Sequence, residues 1–325
     1  MNPDAARDYV SGSILPSMGI TGRPFDVSPP PEGGTRSSLF LIRAEGMPPL
    51  LMRAFAHHGQ AARTAEALRH LDEVGLPAPR LIYHDLARRA RLLPGPGRAV
   101  PFITVETWIE GRRHAGLADP VEARRAALEV ADTLASYHAV TRVTWGRPSA
   151  PVRGRFLSFT SYTLAGARRM AGGLASRGWL SQDEAVRVVE RFDSWRESIA
   201  ALAPHNLVHN DANRHNFVLT PEGRIVPVDL HRLAYEPFAE ELINALYHFC
   251  RKDAVLASAF VEAYFRRAGD ESRRVFESTR GFFEPLNYLK KMYQRAARPG
   301  GGAVDRDDSK MIRWRGNVLA MEGPP

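Results

Sequence analysis

Leu207-Val208-His209-Asn210-Asp211-Ala212-Asn213-Arg214-His215-Asn216-Phe217-Val218-Leu219 is followed by Thr220-Pro221-Glu222-Gly223-Arg224 and then by Ile225-Val226-Pro227-Val228-Asp229. Two apolar runs flank a Pro/Gly turn, so they are expected to pair as a β-hairpin. Asn216 stands immediately before the first run and Asp229 immediately after the second. Closing the hairpin brings these two side by side at its open end, and Asp211 enters on the same loop. Three oxygen-bearing side chains therefore converge from one short span. A small set of hard oxygen ligands suits Mg²⁺, which keeps several waters and takes substrate phosphates for the rest of its shell. The Asn216 amide oxygen and the Asp229 carboxylate fit that role, with Asp211 placed to accept the proton of an incoming hydroxyl. Pro227 cannot donate to a strand ladder, which predicts an exposed edge there.

Outward from the hairpin, the chain changes character along its length. Residues 32–38 make a glycine turn into Leu39-Phe40-Leu41-Ile42, Pro48-Pro49 makes a second turn, and residues 50–55 read as the next strand. Residues 61–73 carry Ala62, Ala65, Leu68 and Leu71 at helical spacing, closed by Gly75, Pro77 and Pro79. Strand character returns at 80–83 and 102–106. The first thirty residues are loosely patterned, with Pro29-Pro30-Pro31 as a stiff spacer. From about residue 120 the pattern is helical: 121–140, then 181–202 opened by Ser181 and Glu184 at capping-box spacing. Residues 239–267, closed by Gly269, and 282–297 add more helix, and 298–308 form a Gly- and Asp-rich loop or tail. An α+β chain is expected, with a strand-rich part at 1–105 and a mainly helical part at 106–325.

Composition excludes several classes. Of 325 residues, 44% are hydrophobic and 25% charged, enough apolar material for a sizeable core and too much for a disordered chain. One cysteine, Cys250, permits neither an intrachain disulfide framework nor a thiolate metal cluster, and its apolar helical setting reads as an inert thiol. No apolar run approaches the ~18 residues of a membrane span and no leader-like segment opens the chain, so a cytoplasmic protein with no membrane partner is expected. The net charge of +8 is spread without a basic block or an aromatic stacking platform, so nucleic acid is not an expected partner. His57-His58 has no carboxylate neighbours in sequence with which to build a metal site.

At His209, Asp211 and Asn216 the sequence resembles the catalytic loop, His-x-Asp-x-x-x-x-Asn, of the aminoglycoside phosphotransferase and choline-kinase-like family. Asp229 follows at the spacing of that family's second metal ligand. Gly33-Gly34-Thr35-Arg36-Ser37 resembles its phosphate loop, and Leu76-Pro77-Ala78-Pro79 the strand entry after its first helix. Val105-Glu106-Thr107-Trp108-Ile109-Glu110-Gly111 resembles its hinge, and Leu134-Ala135-Ser136-Tyr137-His138 a helix of its second lobe. The resemblance covers roughly residues 30–250 in order. It implies a protein-kinase-like fold of two lobes, a small antiparallel sheet lobe and a larger helical one. It also implies transfer of the γ-phosphate of ATP, with Mg²⁺, to a hydroxyl of a small molecule. Asp211 would be catalytic and Asn216 and Asp229 would hold the metal. Gly33, Gly34, Thr35, Ser37, Arg53, Glu106 and Thr107 would meet the nucleotide, with His209 and Glu240 supporting the site.

The departures from that family are specific. No lysine precedes residue 252, so Arg53 occupies the place of the phosphate-binding strand lysine and counts with Asp211 as catalytic. The helix glutamate that pairs with that cation is replaced by Thr64. Glu66, two residues on, lies about 200° around the helix, so Arg53 pairs with Glu66 after a register shift or has no such partner. Glu236-Pro237-Phe238-Ala239-Glu240 lengthens both acids of the family's Asp-Pro-x-x-Asp stretch. Arg214 and His215 face either substrate phosphate or solvent, and Trp108 reads as packing. Residues 232–325 hold 16 Lys and Arg against 13 Asp and Glu, a poor lining for a polycationic acceptor. Sugars, amino alcohols and natural-product hydroxyls stay open. A pseudokinase-like nucleotide-binding module is the alternative, with a protein Ser/Thr acceptor behind it.

Overall fold

The computed structural model describes residues 1–31, 38–87, 102–150, 156–250, 253–297 and 308–324. They form two compact units, Met1–Leu117 with His215–Arg232, and Ala118–Arg214 with Leu233–Pro325.

In the first unit a five-stranded antiparallel sheet runs in the order Phe25–Ser28, Ser38–Ala44, Leu50–Phe55, Phe102–Thr107, Leu81–Asp85. Side chains alternate across a strand, and Leu50–Phe55, at the centre, buries all six of its residues. Leu50, Met52 and Ala54 pack on one face with Phe40, Ile42, Ile103 and Val105. Arg53 shares the opposite face with Leu51 and Phe55, the latter touching Ala61 of the helix His58–Glu73. His58, one of the two adjacent histidines, sets its ring edge-on to Phe102, 5.3 Å between centroids.

The opening residues are more ordered than their loose patterning suggests. Asn2 caps a helix, Pro3–Tyr9, by accepting the Ala5 N–H at 2.9 Å, and Pro3 occupies the first helical turn, where a missing N–H costs nothing. A π-helical turn, Val10–Ile14, extends it. Ala6, Tyr9, Val10, Ile14 and Leu15 are thereby buried against the sheet.

The expected hairpin forms, with Phe217 opposite Pro227, Val218 opposite Val226 and Leu219 opposite Ile225; this register sets Asn216 against Val228, one residue before Asp229. Arg112–Arg113 adds a third strand on the Phe217–Leu219 side, which leaves Ile225–Pro227 at an edge, where Pro227 costs no ladder bond, but Pro227 is buried and the edge is not exposed there. Gly111 enters this strand at φ 142°, and a Cβ there would lie 2.2 Å from the Leu219 carbonyl oxygen, so only glycine fits.

The second unit is mainly helical. Pro120–His138, capped by Asp119, packs on the long Ala254–Ala296 helix, which breaks at Gly269 (φ 84°, ψ 171°). Gln182–Ser194 begins with the expected reciprocal capping box between Ser181 and Glu184. It stops at Trp195, where ψ opens to 3°, and Arg196–Ala200 follows as a separate turn of helix. The span read as helix at 239–267 comprises Phe238–Ala245, a π-helical turn Leu246–Cys250 and the start of Ala254–Ala296. Cys250 is buried there, and burial with Asp253 nearby pushes its thiol up to about 12. Two helices carried no reading from sequence. Phe159–Ala175 is diluted by Gly166, Gly172 and Gly173, and Ser309–Leu319 buries Met311, Trp314 and Val318. A three-stranded sheet, Ala234–Glu236, His205–Val208 and Thr141–Arg142, supports the approach to residue 209. No helix among the described residues is long and apolar enough to cross a membrane.

Candidate functional site

The candidate residues fall into two groups, one in each unit. In the first unit Arg53 sits opposite Thr104 in the strand register, which makes Glu106 its diagonal neighbour on the same sheet face. Its Nε and Nη2 both donate to Glu106 Oε1, at 2.9 and 2.8 Å, and both side chains are buried. Nη1 lies 4.0 Å from Asp229 Oδ1. Burial would lower the Arg53 pKa, and the Glu106 and Asp229 carboxylates more than reverse it, so the guanidinium stays charged. These are the ion pairs of Arg53 among the described residues. The expectation of Glu66 or no partner is corrected: a long guanidinium stem reaches along the sheet face to its own neighbouring strand. Thr107, at the end of that strand, accepts the Arg80 N–H on Oγ1 and donates its own N–H to the Arg80 carbonyl, each at 2.9 Å.

At the open end of the hairpin the Val228 N–H donates to the Asn216 carbonyl at 2.8 Å. Asn216 is buried, whereas the Asp229 side chain is 44% exposed. Asp229 takes φ 62°, a left-handed conformation that Asp and Asn tolerate better than other side chains with a Cβ. Its Oδ1 also lies 2.9 Å from His231 Nδ1, while Leu230 between them is buried. Asp229 thus presents a partly exposed carboxylate with positive charge on one flank. Gly33, Gly34, Thr35 and Ser37 lie outside the described residues.

In the second unit His209 is fully buried, and Asn210 turns the chain at φ 66°. That strained corner is held by Glu241. Its Oε2 accepts the His209 N–H at 2.9 Å and its Oε1 the Asn210 N–H at 2.5 Å. The same carboxylate lies 3.0 Å from His138 Nε2, and His138 Nδ1 lies 2.7 Å from the Tyr264 hydroxyl. Asn210 Nδ2 donates to Glu236 Oε2 at 2.9 Å. Charge-assisted bonds of this kind are about twice as strong as neutral ones, and here they fix the backbone directly before Asp211. The supporting role expected of Glu240 therefore belongs to Glu241. Adjacent helix residues point about 100° apart, so Glu241 faces inward and Glu240 reaches sideways to Lys290.

Asp211 follows this corner. Its Oδ1 accepts Asn213 Nδ2 at 3.1 Å, and its carbonyl accepts the Asn213 N–H at 2.8 Å, a local turn that orients the carboxylate. Asn244 Nδ2 donates to the Ala212 carbonyl at 3.3 Å, and Asn244 Oδ1 accepts from Lys291 Nζ at 3.0 Å. Sequence reading missed Glu241, Asn213, Asn244 and Lys291. Only Asn213, inside the loop itself, carried a local signal, that of a side chain prone to turn bonds.

Residues 27–277 match the profile of the phosphotransferase enzyme family. The sequence matches no curated protein. Among solved structures, the aminoglycoside phosphotransferase APH(4)-Ia is 16% identical, with 98% of each chain covered and a TM-score of 0.63. A thermostable mutant of that enzyme, solved as a ternary complex with ADP and hygromycin B, is 15% identical (96% and 97% covered, TM-score 0.61). Choline kinase from Cryptosporidium parvum Iowa II is 14% identical, with 91% of this chain and 87% of that chain covered and a TM-score of 0.54. At such identities the likeness is one of fold, and that fold is the α+β, protein-kinase-like one expected from the sequence.

Proposed function

The chain belongs to the phosphotransferase enzyme family, and on that premise we propose that it moves the γ-phosphate of ATP, with Mg²⁺, to a hydroxyl of a small molecule. The observation that carries this reading is the charged, buried Arg53 standing 4.0 Å from the Asp229 carboxylate. A cation suited to nucleotide phosphates and a carboxylate suited to their metal occupy one face of one unit.

Asn216 and Asp229 offer oxygen donors only, which fits Mg²⁺. When bound, the metal neutralises charge on the phosphate oxygens during transfer. Arg53 contacts the nucleotide phosphates, and its bonds to Glu106 pre-set the guanidinium so that little side-chain freedom is lost on binding. Asp211 accepts a hydrogen bond from the acceptor hydroxyl and aligns its oxygen with the γ-phosphorus. The acceptor oxygen forms a new bond to that phosphorus as the bond to the β,γ-bridging oxygen breaks. The leaving ADP keeps the electron pair and Asp211 takes the hydroxyl proton. Such a transfer is governed mostly by alignment and charge, which is the reason for a loop held as tightly as His209-Asn210 is by Glu241. Neighbours of the same fold crystallised with ADP or AMP-PNP and hygromycin B support a nucleotide and a hydroxyl compound as the two ligands.

The test is ATP turnover by the purified chain with and without Mg²⁺. Turnover that needs the metal and is removed by chelation is expected. Nucleotide binding indifferent to Mg²⁺, with no turnover, would instead mark a binding module.

A further inference from the structure

Lysine is scarce in this chain, occurring only at 252, 290, 291 and 310. The helix Ala254–Ala296 carries two of the four, Lys290 and Lys291, and sets Lys291 beside the loop that carries Asp211. Lys290 is neutralised by the Glu240 carboxylate. Lys291 is held differently. Its Nζ lies 4.0 Å from the centroid of the Tyr247 ring and donates to Asn244 Oδ1, while the other end of that amide grips the Ala212 carbonyl. The ammonium is thus tethered through one side chain to the residue next to Asp211. Both of its partners are uncharged, and among the described residues no carboxylate forms an ion pair with it. Burial and the neighbouring Lys290 push its pKa down to about 8, against the pull of Glu240 and Asp211. A half-buried cation held only by an amide and an aromatic face is under-compensated, and a bound anion would relieve that penalty.

We propose that Lys291 binds an anionic group, carboxylate or phosphate, of the acceptor molecule, which makes the acceptor a hydroxy acid or a hydroxyl-bearing phosphate ester. This rests on the phosphotransferase reading above. The cation proposed for the nucleotide, Arg53, belongs to the first unit, whereas Lys291 shares its unit with Asp211, the residue assigned to the acceptor hydroxyl. An amino alcohol or polyamine would place like charge against Lys291, which costs affinity. The excess of basic over acidic residues across 232–325 acts in the same direction.

The experiment measures Mg²⁺-dependent ATP turnover by the full chain with four acceptor sets: hydroxy acids, sugar phosphates, neutral polyols and amino alcohols. Stimulation by the first or second set is expected, and which of the two responds separates carboxylate from phosphate. For the responding acceptor, Lys291→Met raises KM at least tenfold with a smaller change in kcat. Lys291→Arg recovers part of the loss, and Lys310→Met, a control on the C-terminal helix, leaves KM in place. Lys291→Gln serves as a second variant should Lys291→Met fold poorly. Metal-dependent turnover that no anionic acceptor stimulates, or an acceptor KM unmoved by either neutral variant, overturns this proposal and leaves the phosphotransferase reading standing. Absence of metal-dependent turnover in every mixture overturns that reading, and this one with it.

Discussion

Asp211→Ala is expected to lower phosphoryl transfer roughly 10²–10⁴-fold, the usual worth of a positioned acid–base group. The loop is held on both sides of Asp211. Glu241 fixes the two N–H groups before Asp211, and Asn213 orients its carboxylate from the other side. Alanine leaves this backbone support in place while removing the acceptor of the hydroxyl proton. The loss should therefore fall on kcat, with the nucleotide KM and the melting temperature changed little. Asp211→Asn keeps the shape and a hydrogen-bonding oxygen, so it separates alignment from proton acceptance. Activity within a few-fold of wild type in the alanine variant would remove Asp211 from the mechanism.

Arg53→Met is expected to have two effects of different origin. It strands the Glu106 carboxylate, 2% exposed, without its cation. Breaking a buried pair from one side costs about 3–5 kcal/mol, a loss read directly as a lower denaturation midpoint. The second effect is a fall in transfer of about 10²-fold, as for other removed electrostatic stabilisers of a charged transition state. The double variant Arg53→Met/Glu106→Leu separates them. With both charges gone and the space filled by apolar atoms, most of the stability should return, because neutralised buried pairs are often replaced at little cost. Transfer should stay low. Recovery of activity together with stability would show that Arg53 braces the sheet and does not serve the nucleotide.

The parts of this account that were legible in the sequence are those set by local spacing. The hairpin follows from two apolar runs around a Pro/Gly turn, and Pro227 marks the edge strand, although the register is one residue off a direct Asn216–Asp229 pairing and Pro227 is buried. The capping box at Ser181 and the break at Gly269 are equally local. What could not be read depends on side chains meeting across long separations. The Arg53–Glu106 pair needs the register of Leu50–Phe55 against Phe102–Thr107, which no local pattern encodes. The choice between Glu240 and Glu241 turns on a rotation of one helical residue, fixed only when Phe238–Ala245 packs on the strand before His209. Lys291 reaches the Asp211 loop through a helix some eighty residues further along the chain. The N-terminal helix is a different case. The Asn2-Pro3 cap and the spacing of Ala6, Tyr9, Val10 and Ile14 carry its signal, and the shortness of the helix hides it.

The central claim is that Asp229, with Asn216, holds a divalent ion against nucleotide phosphates. Its most direct test is the affinity of ATP titrated with and without Mg²⁺ in the wild type and in Asp229→Asn. Asparagine accepts the same left-handed backbone and removes the charge alone, so the fold should survive. Mg²⁺ is expected to tighten ATP binding in the wild type, and most of this dependence to disappear in the variant. An equal tightening by Mg²⁺ in both proteins would contradict it.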